Sequence, residues 1–97
     1  MAEIEVLVRF FAELRERLGR REDRLKLPRG GTVEEALAAL AARYGESFSG
    51  YVFDSRGRFR QGLILLVSGD VVEPEDFTTR RLREGDVLAI LPPVGGG

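Results

Sequence analysis

Val87-Leu88-Ala89-Ile90-Leu91-Pro92-Pro93-Val94-Gly95-Gly96-Gly97 joins two stretches of opposite character. Its first five residues are apolar without alternation. A strand of that kind is apolar on both faces, so residues 87–91 are expected to be central in a sheet or covered. Pro92 and Pro93 have no N–H to give and cannot extend a central ladder. They also hold the preceding residue in extended backbone, so the chain is forced out of the domain there. Six residues, 92–97, reach about 20 Å when extended. Gly95, Gly96 and Gly97 carry no Cβ and can enter a channel that a side chain would block. Ordering them costs about 1–2 kcal/mol per residue, which a partner must supply. The expected organisation is a folded domain over residues 1–91 and a flexible Pro-Pro-Val-Gly-Gly-Gly tail over 92–97.

The tip of this tail offers one functional group, the α-carboxylate of Gly97. A carboxylate resists nucleophiles because its charge is delocalised and its oxygens leave poorly. Reaction requires activation to an acyl phosphate or acyl adenylate, after which the acyl group can pass to sulfur or to an amine. A glycine-rich terminus is more often merely frayed. Two prolines directly behind a core strand favour a built exit instead.

Working back from the tail, the rest of the chain reads as one α+β domain of 97 residues. Glu3 to Phe10 alternates, with Ile4, Val6, Val8 and Phe10 on one side, as a half-buried strand does. Phe11, Leu14 and Leu18 then share a helical face, and Gly19 supplies a left-handed stop. The mixed charges of residues 20–24 read as a solvated turn. Leu25 and Leu27 mark a short second strand ended by Pro28-Arg29-Gly30-Gly31. Thr32-Val33-Glu34-Glu35 has the form of a capping box. It opens a helix whose stripe is Val33, Ala36, Leu37, Leu40, Ala41 and Tyr44, with Gly45 as its end. Residues 46–61 show no clear period; Asp54-Ser55-Arg56-Gly57 reads as a turn between Tyr51-Val52-Phe53 and Phe59. Residues 63–67 are a buried strand and Ser68-Gly69-Asp70 a turn. Val71-Val72 begins a return strand that Pro74 cuts off. The order strand, strand, long helix, strand, short strand, strand gives a mixed sheet of about four to five strands packed on one long helix. One helix covers one sheet face, which leaves the other face to offer apolar side chains to a partner.

Composition excludes several chemistries. The sequence has no Cys and no His, so disulfides, thiolate sites and imidazole bases are absent. A net charge of −1 argues against a general nucleic-acid binder. No apolar stretch is long enough to span a bilayer, and the N-terminus lacks a signal-peptide pattern; the expected location is the cytoplasm. Lys26 is the only lysine beside fourteen arginines, and there is no Asn. A thermophilic source or a coding bias would each produce that pattern.

Three internal candidates are weaker than their bland readings. Arg56-Gly57-Arg58-Phe59-Arg60 has the basic and aromatic residues of an RNA contact, but one short cluster on a net-negative chain is better read as a solvated loop. Glu73, Glu75 and Asp76 have nothing to position them as a carboxylate pair. Pro28-Arg29-Gly30-Gly31-Thr32 lacks the Gly-Lys-Ser/Thr of a phosphate loop.

Four segments together resemble a known family. Phe10-Phe11-Ala12-Glu13-Leu14-Arg15 with Leu18-Gly19, Thr32-Val33 opening a helix with Leu37 and Leu40, Gly85-Asp86-Val87, and Pro92-Pro93-Val94-Gly95-Gly96-Gly97 are similar to the MoaD-type small subunit of molybdopterin synthase. These subunits are ubiquitin-like sulfur carriers of the MoaD/ThiS group. The resemblance implies a β-grasp, ubiquitin-like fold and a non-catalytic, sulfur-donating role. It implies that a MoeB-type enzyme adenylates Gly97 with ATP, and that a sulfur donor then converts it to a thiocarboxylate. The tail, Pro92 to Gly97, would thread into a MoaE-type large subunit and give sulfur to cyclic pyranopterin monophosphate. Leu91, Val71 and Val72 would contribute to the partner interface. No bound cofactor, nucleic acid or membrane is implied. Two alternatives share the fold: a sulfur carrier for thiamine synthesis or tRNA thiolation, and a modifier joined to lysines of other proteins.

Overall fold

The computed structural model describes residues 2–93. Strand β1 (Glu3–Phe10) buries Ile4, Val6, Val8 and Phe10 on one face, as its alternation dictates. It pairs antiparallel with β2 (Glu22–Pro28), which sets Val6 opposite Leu25 and Ile4 opposite Leu27. Helix α1 (Ala12–Leu18) is inserted between them. Gly19 closes it at φ 72°, donating its N–H to the Arg15 carbonyl at 2.9 Å.

The expected turn over residues 20–24 is corrected by this pairing, because β2 already starts at Glu22. Asp23 takes an inward position in register with Leu25 and Leu27, and its charge is met there rather than by water. Arg43 donates to Asp23 Oδ2 at 2.8 Å, the Tyr44 hydroxyl donates to the same oxygen, and Arg20 Nη1 lies 3.1 Å from Oδ1. A strand can carry an acid on its inner face when the facing helix end supplies the donors.

Helix α2 (Val33–Tyr44) begins as its sequence dictates. Thr32 Oγ1 accepts from the Glu35 N–H at 3.2 Å, and Glu35 Oε1 accepts from the Thr32 N–H at 2.8 Å. Val33, Ala36, Leu37 and Leu40 are buried; Ala41 and Tyr44 pack partly buried beside them. Gly45 ends α2, and a third helix, α3 (Glu46–Val52), follows at once. The sequence shows no clear period over this segment; the structure places Tyr51-Val52, which precede the expected turn, in the last turn of α3. The turn at residues 54–57 is present, with the Gly57 N–H donating to the Asp54 carbonyl at 2.9 Å and Phe53 bridging Phe59.

β3 (Ile64–Val67) and β4 (Asp70–Val71) form a hairpin around Ser68-Gly69. β5 (Val87–Leu91) lies between β1 and β3, parallel to the first and antiparallel to the second. The sheet order is β2-β1-β5-β3-β4. The all-apolar strand is therefore central, but it is not covered on both faces: Leu88 and Ile90 enter the core, while Val87 and Leu91 on the other face are half-buried. A five-stranded mixed sheet wrapped on α2 is the β-grasp arrangement, with α1 and α3 added at its edges. One core results, in which Phe10, Phe48, Leu14, Leu40, Leu65 and Leu88 are at most 1% exposed. Each such side chain contributes about 1.5–3 kcal/mol relative to exposure.

The Asp23 cluster gives a pH-dependent share of the stability. Burial pushes the Asp23 carboxyl up, but the bonds from Tyr44, Arg43 and the Arg24 N–H outweigh it and hold the group below its ordinary value. Burial and the bond to Asp23 push the Tyr44 hydroxyl up, so it stays a donor. A carboxyl depressed in the folded state contributes stability above its unfolded value, near pH 4, and loses it as pH falls through the folded one. Asp23→Ala is expected to cost about 2 kcal/mol at pH 7. In urea unfolding the gap between the two proteins should narrow below pH 4; a gap constant from pH 7 to pH 2 would contradict this.

Candidate functional site

The described residues hold no assembled catalytic set. Glu73, Glu75 and Asp76 lie at a short 3-10 turn, Pro74–Asp76. Among the described residues no group of three or more acidic side chains could hold a metal ion. The first N–H groups of α2 are taken. Val33 donates to the Arg80 carbonyl at 3.0 Å, Glu34 to the Phe77 carbonyl at 3.1 Å, and Glu35 to Thr32. That helix start has nothing left with which to cradle a phosphate.

The Arg56-to-Arg60 cluster is likewise used internally. Phe59 packs edge-on to Phe77 with ring centroids 5.1 Å apart. Arg58 pairs with Asp54 at 3.6 Å. Arg60 donates to the carbonyls of Tyr51 and Gly50 at 2.5 and 3.1 Å, with its guanidinium 5.5 Å from the Tyr51 ring centre. An aromatic committed to the core is not a platform for a base. An open groove of about 1240 Å³ lies at the sheet end where β1 begins, with Arg80 and Arg81 in its wall. Arg80 pairs with Asp70 at 3.5 Å and Arg81 donates to the Gly30 carbonyl at 2.8 Å. Asp86 opposite them accepts from Ser68 and from the Arg83 N–H, each at 2.8 Å. The charges of Arg80, Arg81 and Asp86 are therefore engaged by neighbours.

What remains is the root of the tail and the face beside it. Leu91 ends β5, opposite Ile64 in the last β3–β5 pair. Pro92 and Pro93 follow outside any strand, Pro92 half-buried and Pro93 exposed. The ladder stops where the donors stop. Val94, Gly95, Gly96 and Gly97, the rest of the tail expected from sequence, lie outside the described residues.

The sheet face turned away from α2 is divided. On its β2–β1 side stand Glu22, Arg24, Lys26, Glu5 and Arg9, with Arg24 and Glu5 3.7 Å apart. On the other side lie Leu7, Val87, Ala89, Leu91, Ile64 and Leu66, joined at the β4 edge by Val71. Most are half-buried, and Val71 is 59% exposed. Of the three interface candidates, Leu91 and Val71 lie on this apolar half. Val72 does not. It is 5% exposed, belongs to the core, and donates its N–H to the Leu65 carbonyl at 2.9 Å. Successive strand residues point to opposite faces, so the two valines could not both face a partner.

Comparison with known proteins places this geometry. The ThiS family pattern matches residues 8–97. The chain is 30% identical over 94 residues to small archaeal modifier protein 3 of Haloferax volcanii, covering 97% of this chain and 100% of that one. It is 30% identical over 96 residues to the molybdopterin synthase sulfur carrier subunit of Arabidopsis thaliana, covering 97% and 84% respectively. The crystal structure of small archaeal modifier protein 1 of Haloferax volcanii superposes with a TM-score of 0.83 at 27% identity, over 94% of this chain and 99% of that one. Among the described residues no helix is long and apolar enough to cross a membrane. With a β-grasp fold, a central strand that ends in two prolines and an apolar face beside its exit, the chain belongs to the ThiS family of ubiquitin-like sulfur carriers and modifiers.

Proposed function

We propose that this chain is the sulfur-donating small subunit of a molybdopterin synthase. The observation that carries the reading is the position of the exit: the central strand ends in Pro92-Pro93 at one end of the sheet, beside an uncovered apolar face. The similarity to a molybdopterin synthase sulfur carrier subunit supports it. Residues 1–91 form the carrier domain and residues 92–97 the part delivered to other active sites.

The chemistry runs through Gly97. Its carboxylate oxygen attacks the α-phosphorus of ATP in the site of a MoeB-type enzyme, pyrophosphate leaves, and an acyl adenylate forms. A sulfur donor at the oxidation level of sulfide attacks the acyl carbon. AMP then leaves with the electron pair, and a thiocarboxylate results. This chain supplies no acid or base to either step, so its contribution is delivery. Val94, Gly95 and Gly96 keep the tail narrow, and Pro92 and Pro93 stiffen its base. The MoaE-type subunit docks on the apolar half-face through Leu91 and Val71 and receives the tail, where sulfur passes to the pterin precursor.

Val71→Asp places a charge on this face without touching the core. It is expected to weaken binding to a MoaE-type subunit at least tenfold, with the melting temperature unchanged. Calorimetric titration with unchanged affinity would remove Val71 from the interface.

The similarity to small archaeal modifier proteins supports a second reading, in which the acyl adenylate passes to a lysine amine of another protein. A carrier of the same fold for thiamine synthesis or tRNA thiolation is a third. Thiocarboxylated protein incubated with a MoaE-type subunit and cyclic pyranopterin monophosphate separates them. Sulfur loss with molybdopterin formation is expected; intact thiocarboxylate, or isopeptide-linked adducts formed instead in a cell extract, would overturn the first reading.

A further inference from the structure

The tail root meets a fixed post on its way out. The β3–β5 register pairs Leu65 with Ile90 and Ile64 with Leu91. Continued antiparallel by two residues, it sets Gly62 opposite Pro93. Pro93 has no N–H to give, and no backbone hydrogen bond joins it to Gly62. Steric fit replaces hydrogen bonding. A Cβ placed on Gly62 would lie 3.3 Å from Pro93 Cβ, tighter than most carbon contacts, and 3.4 Å from its Cγ, so the Pro93 ring would have to give way slightly. Gly62 also holds φ at +97°, where a side chain is strained. The post is anchored two residues earlier. The Arg60 N–H donates to the Val52 carbonyl at 2.7 Å, and the Arg60 side chain donates to the carbonyls of Tyr51 and Gly50. The end of α3 thus holds the 60–62 segment against the tail root.

We propose that Gly62 is a positioning residue for the tail: its bare α-carbon, pinned to α3 through Arg60, seats the Pro93 ring and sets the direction in which the activatable end leaves the domain. The proposal rests on the reading that residues 92–97 are delivered to an adenylating enzyme. It also gives the 46–61 segment a task, since α3 carries the post. A root aimed elsewhere must be turned before the tail can enter the enzyme's channel, and that cost falls on binding of the carrier.

The test is ATP–pyrophosphate exchange by a MoeB-type enzyme at varied carrier concentration, with wild type, Gly62→Ala, Pro93→Gly and the double variant. Gly62→Ala is expected to raise the KM for the carrier about tenfold with kcat unchanged. Removing the ring carbons that the new methyl meets, Cβ included, should return the double variant to the KM of Pro93→Gly alone. Strain at φ +97° lowers the melting temperature of both Gly62→Ala proteins alike, so a role confined to stability would leave the double variant unrescued. A KM unchanged by Gly62→Ala, or raised equally in the double variant, overturns the proposal. Absence of exchange with wild type would instead count against the delivery reading. The seat itself is then read from the amide shifts of Val94, Gly95 and Gly96. Gly62→Ala should move them, and in the Pro93→Gly background should not; shifts that ignore Gly62→Ala overturn the seat.

Discussion

Removal of Gly97 is expected to abolish adenylation while leaving the domain folded. The shortened chain still ends in a carboxylate, so the loss cannot be assigned to a missing functional group. What changes is reach: the reacting carbon withdraws by about 3.3–3.6 Å, one extended residue. Active sites hold reacting atoms to well under that distance, and a 1 Å error already costs about 100-fold. Stability is another matter. The core runs from Ile4 to Ile90, and β5 is complete at Leu91. The melting temperature of the truncated protein is expected to match wild type within about 1 °C, well below the shift of about 4–8 °C that 1 kcal/mol produces in a domain of this size. Pyrophosphate exchange near the wild-type rate would show that Gly97 is not the activated residue. Unfolding of the truncated protein would show that the tail belongs to the core.

Phe48→Ala is expected to destabilise the domain by about 3–5 kcal/mol. Phe48 is fully buried and sits edge-on to Phe53 with centroids 6.3 Å apart. Its loss opens a cavity where α3 meets the core and the phenyl ring's burial is forfeited. Against a total stability of about 5–15 kcal/mol, that is a large share. The melting temperature should fall by about 12–40 °C at 4–8 °C per kcal/mol. Denaturant unfolding that shows a loss below about 1 kcal/mol would mean that α3 is an ornament on the fold rather than part of it.

The same helix shows where reading from residues alone runs out. β1 was legible because Ile4, Val6, Val8 and Phe10 repeat at the period of a strand. α2 was legible because its stripe repeats at that of a helix and Thr32 with Glu35 marks its start. β5 was placed at the sheet centre by being apolar on both faces. In α3, Glu46-Ser47-Phe48-Ser49-Gly50-Tyr51-Val52, two residues of seven, Phe48 and Val52, are buried, and Ser and Gly do little for a helix. What makes it helical is distant in sequence. Arg17 on α1 donates to the Ser47 carbonyl at 2.9 Å and stacks 5.9 Å from the Tyr51 ring centre, with Arg60 over the same ring. Tertiary contacts of that kind leave no period to read.

β2 was under-read for a related reason. Asp23 occupies an inward strand position that a leucine would have advertised, and its partners Arg43 and Tyr44 lie about twenty residues on. Val71 and Val72 were taken together as surface, although the alternation of a strand separates them. The Gly62 seat carried no signal at all, since one glycine in a loop announces nothing until the register puts Pro93 against it. The tail was the opposite case: two prolines without N–H groups and three glycines without side chains suggested a use from residue types alone, and that use rests on the proposal above.

The central claim is that Gly97 carries sulfur. Its most direct test is the intact mass of the protein after incubation with ATP, a MoeB-type adenylating enzyme and a sulfide source. A gain equal to the replacement of one oxygen by sulfur, mapped to Gly97 by fragmentation, is expected. An unchanged mass, with an enzyme that activates a known carrier in the same tube, would contradict it.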